Sequence, residues 1–166
     1  KPHKNLVRLV DAWAKVAAHV PAGLVIAGHW DARYPQAKEH AAALGLKERV
    51  QFAGPIAESD TPAVYAGAKV FVFPSLYEGF GLPVLEAMAC GVPVVCSRAS
   101  SLPEVTGEAA LLVDPGDTSA LAAAICRVLE DAQLAYALRA RGLEQAARFS
   151  WEQSARATLA LMRTIK

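Results

Sequence analysis

The sequence predicts an α/β domain: a five- or six-stranded parallel sheet with helices on both faces and a helical C-terminal tail. Three observations predict it. Short apolar runs, several ending in glycine, alternate with longer stretches of helical period. The length of 166 residues suits one domain and is too short for two of ordinary size. The composition, 54% hydrophobic with 34 alanines, supplies a core for a chain of that length.

Element by element, Leu6, Leu9, Val10, Trp13, Val16 and Ala17 fall at helical spacing, with Trp13 as a packing residue. Leu24 to Gly28 follows as a strand. Tyr34 to Leu44 is alanine-rich and amphipathic, and Gly45 stops it where a helix favours a left-handed residue. Val50 to Gly54 is the next strand, and Thr61 to Ala66 a short helix with Pro62 in its first turn. Val70 to Phe73, continuous in β-branched and aromatic residues, predicts a strand buried on both faces. Pro83 to Cys90 is a helix closed by Gly91, and Val92 to Cys96 and Ala110 to Val113 are strands. Three helices follow, Thr118 to Leu129, Ala132 to Arg148 and Trp151 to Ile165, with Trp151 expected to pack. Parallel strands joined by helices imply right-handed crossovers around one core, without repeats or linkers.

Several classes drop out. Seventeen basic against 16 acidic residues leave a net charge of +1, so no global field argues for nucleic acid. The apolar fraction and low net charge exclude disorder. The longest stretch without Asp, Glu, Lys or Arg, Val16 to Trp30, contains His19, Pro21 and Gly23 and is too short to span a bilayer. Cys90, Cys96 and Cys126 form no CxxC pair and have no zinc spacing with the four histidines, so they read as small hydrophobes in a reducing compartment and no metal is expected. No signal peptide opens the chain, which begins at Lys1 inside a polar turn; the expectation is a piece of a longer protein.

Ligands of open parallel sheets bind outside the carboxyl ends of the strands. The loops there are Gly28 to Arg33, Gly54 to Asp60, Pro74 to Leu82 and Ser97 to Leu102. The third carries the chemistry. Gly79 and Gly81 let backbone amides approach a ligand, and the helix at Pro83 turns its free N–H groups and positive dipole end to the loop, a seat for phosphate. Glu78 stands in this loop and Glu86 eight residues later. A carboxylate can take two hydrogen bonds from a vicinal diol, so one glutamate for a ribose and one for a sugar, with phosphates between, describes a nucleotide-sugar site. The other reading of two such glutamates is a solvated loop residue and one that favours a helix N-terminus.

The segment resembles the E-x7-E signature of retaining GT-B glycosyltransferases of the group 1 family, in the second of their two Rossmann-like domains. The likeness includes Pro74-Ser75, Glu78-Gly79-Phe80-Gly81-Leu82, Glu86-Ala87-Met88-Ala89-Cys90-Gly91 and Pro93-Val94-Val95, and extends to Lys1 through Leu6, Val50 to Gly54, Leu102 to Val105 and Phe149-Ser150-Trp151. It covers essentially the whole chain, which makes residues 1–166 one Rossmann-like domain, half of such an enzyme.

The resemblance implies that Glu86 binds ribose hydroxyls and Glu78 those of the transferred sugar, and that the amides of Gly79, Phe80, Gly81, Leu82 and Val84 meet the sugar and diphosphate. It matches Lys4 to a diphosphate lysine that acts in catalysis with Glu78; the companion arginine of the family would fall before Lys1. Gly54, Pro55 and Ile56 match a stretch whose backbone meets the base. No DxD pair is present, in keeping with a family that generally needs no metal or other cofactor. His3 could reach a phosphate and Asp31 and Arg33 a ligand, but the three are read as turn and loop residues; His29 makes its loop bulkier than is usual in the family, and Arg98 sits just after a strand near the crevice mouth. The function implied is transfer of a hexosyl group from a UDP-, GDP- or ADP-sugar to an acceptor hydroxyl, by a cytoplasmic enzyme that can work at the inner membrane face. The acceptor and any membrane contact belong to an N-terminal domain of the same parent chain, so this half alone should not transfer. The alternative is a stand-alone nucleotide-binding or interaction domain that has kept the fold without transfer.

Overall fold

The computed structural model describes residues 1–164, so Ile165, the expected end of the last helix, lies outside the described residues. A 3-10 turn, Pro2–Lys4, leads into α1 (Leu6–Ala17), β1 (Leu24–Ala27), α2 (Gln36–Ala43) and β2 (Val50–Gly54). A second 3-10 turn, Glu58–Asp60, precedes α3 (Thr61–Ala66), β3 (Phe71–Phe73), α4 (Leu82–Ala89), β4 (Val94–Ser97), α5 (Leu102–Thr106) and β5 (Ala110–Val113). The tail is α6 (Thr118–Glu130), α7 (Ala132–Ala146) and α8 (Trp151–Thr164).

All strand pairs are parallel, as the alternation of strands and helices predicts. Among the described residues five strands form two separate ladders, β1 with β2 and β3-β4-β5, in place of the one sheet expected. Ile26 faces Phe52 but Ala27 faces Gly54, so β2 carries one extra residue at Ala53. The Gly28 N–H then donates to the Gly54 carbonyl at 2.8 Å, which ties the carboxyl ends of both strands together.

The expected single core is two apolar clusters divided by the sheet. The cause is the period of two along β4, whose four residues are all buried. Val95 faces a cluster of Leu9, Val10, Trp13 and Val16 from α1 with Leu121 and Ile125 from α6. Val94 and Cys96 face Val84, Leu85 and Met88 of α4 with Leu102 and Val105 of α5. Trp13 packs as expected, and its indole N–H donates to the Arg49 carbonyl at 3.0 Å. Asp117 and Asp131 accept from backbone N–H groups at the starts of α6 and α7, which fixes where each begins.

Two further expectations change. β3 is half-buried rather than buried on both faces, because it bonds to β4 on one side only. Trp151 is 82% exposed and does not pack, since α8 has no buried residue. The short α5 is an element that the sequence pattern does not reveal. Burial pushes the Cys96 thiol up to about 12, as suits a small core hydrophobe, while Cys90 and Cys126 are half-buried and none of the three is paired. Among the described residues no helix is long and apolar enough to cross a membrane, and no cluster of three His, Cys, Asp or Glu could hold a metal.

Candidate functional site

Lys4 and Glu78 are 74 residues apart, yet Lys4 Nζ lies 2.7 Å from Glu78 Oε1. The backbone explains how. Asn5 adopts a left-handed conformation, φ 56°, and its side-chain amide donates to the carbonyls of Pro74, at 3.1 Å, and Pro115, at 2.9 Å. The Leu76 N–H donates to the His3 carbonyl at 2.7 Å. The N-terminal turn is thereby stitched to the loop that leaves β3, and the Lys4 ammonium rests 4.9 Å from the centre of the Phe73 ring.

Burial raises the pKa of Glu78, but the hydrogen bond and charge of Lys4, with Ser75 and the charge of His3 nearby, outweigh it and hold the carboxyl below its ordinary value. Ser75 Oγ is buried and makes no full hydrogen bond among the described residues. The Lys4 side chain is 36% exposed against 14% for Glu78, so the pair is reached from the ammonium side. Lysine has three N–H donors; one is on Glu78, and two remain for an incoming anion.

The glycine loop is held from behind by the loop that leaves β4. The Glu78 N–H donates to Ser100 Oγ at 2.9 Å, and Ser101 Oγ donates to the carbonyls of Glu78, at 3.0 Å, and Phe80, at 2.8 Å. Gly81 caps α4 at φ 106°, and a Cβ there would stand 2.7 Å from Leu102 Cδ2. Glycine is required twice over, by conformation and by space. Among the described residues the N–H groups of Gly79, Phe80, Gly81 and Leu82 have no hydrogen-bond partner. Val84 differs from the expectation for it: its N–H is already bonded to the Gly81 carbonyl at 2.9 Å, because α4 begins at Leu82, one residue early, and puts Pro83 second.

Glu86 is exposed on α4, and its Oε2 accepts from the Tyr65 hydroxyl of α3 at 3.0 Å. The Tyr65 ring meets Phe71 edge-on at 5.3 Å, and Phe71 stacks with Phe73 at 5.8 Å. An aromatic row therefore runs from the partner of one glutamate to the ring beneath the partner of the other. Gly54 and Ile56 stand at the carboxyl end of β2, and among the described residues no hydrogen bond joins them to the glycine loop. Asp31 and Arg33 pair with each other, Nη2 to Oδ2 at 2.7 Å, and His29 and Arg98 are exposed, all as loop residues. Asn5, Ser100, Ser101 and Tyr65, which hold the candidate residues and their loop in place, were missed by sequence reasoning. The one signal available for them was that polar side chains border the loops at the sheet's carboxyl end.

Residues 1–131 match the family described as glycosyl transferases group 1. The chain is 51% identical over 110 residues, 66% of its length, to O-antigen chain mannosyltransferase B of Escherichia coli, of which it covers 29%. It is 36% identical over 164 residues, 96% of its length, to the MMP alpha-(1->4)-mannosyltransferase of Mycolicibacterium hassiacum, of which it covers 40%. Among solved structures, Anabaena Alr3699/HepE in complex with UDP and glucose superposes with a TM-score of 0.89 at 26% identity, over 99% of this chain and 46% of that one. The chain thus spans less than half the length of each of these proteins. The family match covers most of the chain and the fold agrees with it, so the chain belongs to the glycosyl transferases group 1 family.

Proposed function

We propose that this chain is the donor half of a retaining glycosyltransferase and binds a nucleoside diphosphate sugar at the carboxyl ends of its strands. The observation that carries the reading is the Lys4–Glu78 pair set beside the unbonded N–H groups of Phe80, Gly81 and Leu82. A bare carboxylate next to a phosphate seat would repel it. Paired with Lys4, Glu78 is neutralised and can still accept hydroxyls of the sugar, while the two spare donors of Lys4 and the loop amides take the diphosphate. Glu86 takes the ribose diol, and the backbone at Gly54 and Ile56 meets the base. The UDP and glucose bound by the Anabaena protein support a nucleotide-sugar donor, and the two mannosyltransferases support a hexosyl group.

In the transfer, the bond from the sugar's anomeric carbon to the diphosphate oxygen breaks and a bond to the acceptor oxygen forms on the same face. The acceptor's proton passes to the departing diphosphate, so the chain needs no base of its own. Lys4 and the amides stabilise the charge that grows on the leaving group, and the chemistry calls for no metal. The acceptor sits on a second, N-terminal domain of the parent protein, which is cytoplasmic and can meet the inner membrane face through that other domain. This half alone is inactive, because bringing two reactants together supplies about 7–11 kcal/mol of barrier lowering.

Calorimetric titration with UDP, GDP and ADP and their sugars tests the assignment. Glu86→Ala should weaken the nucleoside diphosphate by about ten- to hundredfold, the loss of hydrogen bonds to a charged group. Glu78→Ala should weaken the sugar nucleotide and leave the bare diphosphate close to the parent. Equal losses for both ligands in both variants would overturn the division of roles.

A further inference from the structure

Glu86 is anchored at one oxygen only. It stands exposed on α4, where a glutamate side chain is free to sample several rotamers, yet its Oε2 is held by the Tyr65 hydroxyl at 3.0 Å, 21 residues away. No other side chain among the described residues bonds this carboxylate. The tyrosine is itself well fixed. It is half-buried, its ring lies edge-on to Phe71 at 5.3 Å and 77°, and it packs against the cluster formed by α4, α5 and β4.

We infer that Tyr65 is a positioning residue that orients the Glu86 carboxylate for a vicinal diol and so makes the site selective for ribose. This rests on the reading of Glu86 as the ribose ligand and deepens it. A carboxylate offers about four lone-pair sites. With Oε2 tethered, the carboxylate's rotamers are restricted, Oε1 is free for one hydroxyl, and the remaining lone pair of Oε2 serves the neighbouring one. Burial first, and then the adjacent carboxylate, hold the Tyr65 phenol well above its ordinary pKa, so it stays a donor wherever Glu86 is ionised. Phe71 continues through Phe73 to Lys4, so the element that positions the ribose ligand shares its packing with the one that positions the Lys4–Glu78 pair.

The test is a calorimetric cycle of the parent, Tyr65→Phe, Glu86→Ala and the double variant. Each is titrated with whichever of UDP, GDP and ADP the parent binds most tightly, and with its 2′,3′-dideoxy analogue. Phenylalanine keeps the ring and its packing, and thermal melting of each variant registers any loss of fold. Tyr65→Phe should weaken the ribonucleotide by about fivefold, the value of one hydrogen bond. It should leave the dideoxy analogue within about twofold of the parent, and it should add nothing in the Glu86→Ala background. Three results overturn the inference alone while Glu86→Ala is weakened as expected: Tyr65→Phe binding the ribonucleotide as the parent does, weakening both ligands equally, or acting undiminished without Glu86. A Glu86→Ala variant that binds the ribonucleotide normally overturns the reading of Glu86, and the inference with it.

Discussion

Glu78 stays ionised against the effect of its own burial, because Lys4 is 2.7 Å away. That balance gives the site an acid limit. The carboxyl's folded pKa lies below its ordinary value of 4.5, so the contribution of the pair to stability is fully present above that value. It is lost as the pH falls through the lowered folded value. Sugar-nucleotide affinity should fall over the same acid window, and in Glu78→Gln, which cannot titrate, that limb of a calorimetric pH series should flatten. An unchanged acid limb in Glu78→Gln would place the titrating group elsewhere. Glu78, Glu86 and the two loop glycines were legible as candidates in the sequence because they fall inside a dense motif, and Lys4 because its turn resembles the family's opening one. Asn5, Ser100, Ser101 and Tyr65 were not, since their partners are 21 to 110 residues away and a polar loop residue looks the same whether it meets a partner or water.

The glycine loop keeps its shape at Gly81 because α5 leaves little room behind that residue. Gly81 carries a left-handed backbone at φ 106°, and Leu102 of α5 stands where a Cβ would go. Gly81→Ala should lower stability by about 2–4 kcal/mol, from left-handed strain plus overpacking, and melting by roughly 5–15 °C. Gly79→Ala, whose added Cβ would meet nothing within 4 Å, should stay within about 0.5 kcal/mol of the parent. Matching melts for the two variants would remove Leu102 as the wall behind the loop. The strands and long helices were legible from period and from glycine stops. α5 was not, because five residues with a proline in the first turn carry too little period to count. β3 and Trp151 were misjudged for a common reason: apolar composition predicts burial only where a neighbour exists to supply it, and β3 has one ladder partner while α8 has no buried residue.

At the scale of the molecule, the fold brings the N-terminal turn, the loop after β3 and the loop after β4 together, and residues far apart in sequence come to line what we propose is one anion seat. The proposed seat combines the Lys4 ammonium, paired with Glu78, and the unbonded N–H groups of the glycine loop. Its direct test is titration of the parent and Lys4→Ala with a nucleoside diphosphate and the matching monophosphate, at low and at physiological ionic strength. The parent should prefer the diphosphate and bind it less tightly as salt rises, since a partly exposed cation is screened over about 8 Å. Lys4→Ala should lose about tenfold for the diphosphate, the value of one charge-assisted contact, with little change for the monophosphate and a flatter salt dependence. Binding of both nucleotides by Lys4→Ala as by the parent, at every salt concentration, would contradict the account.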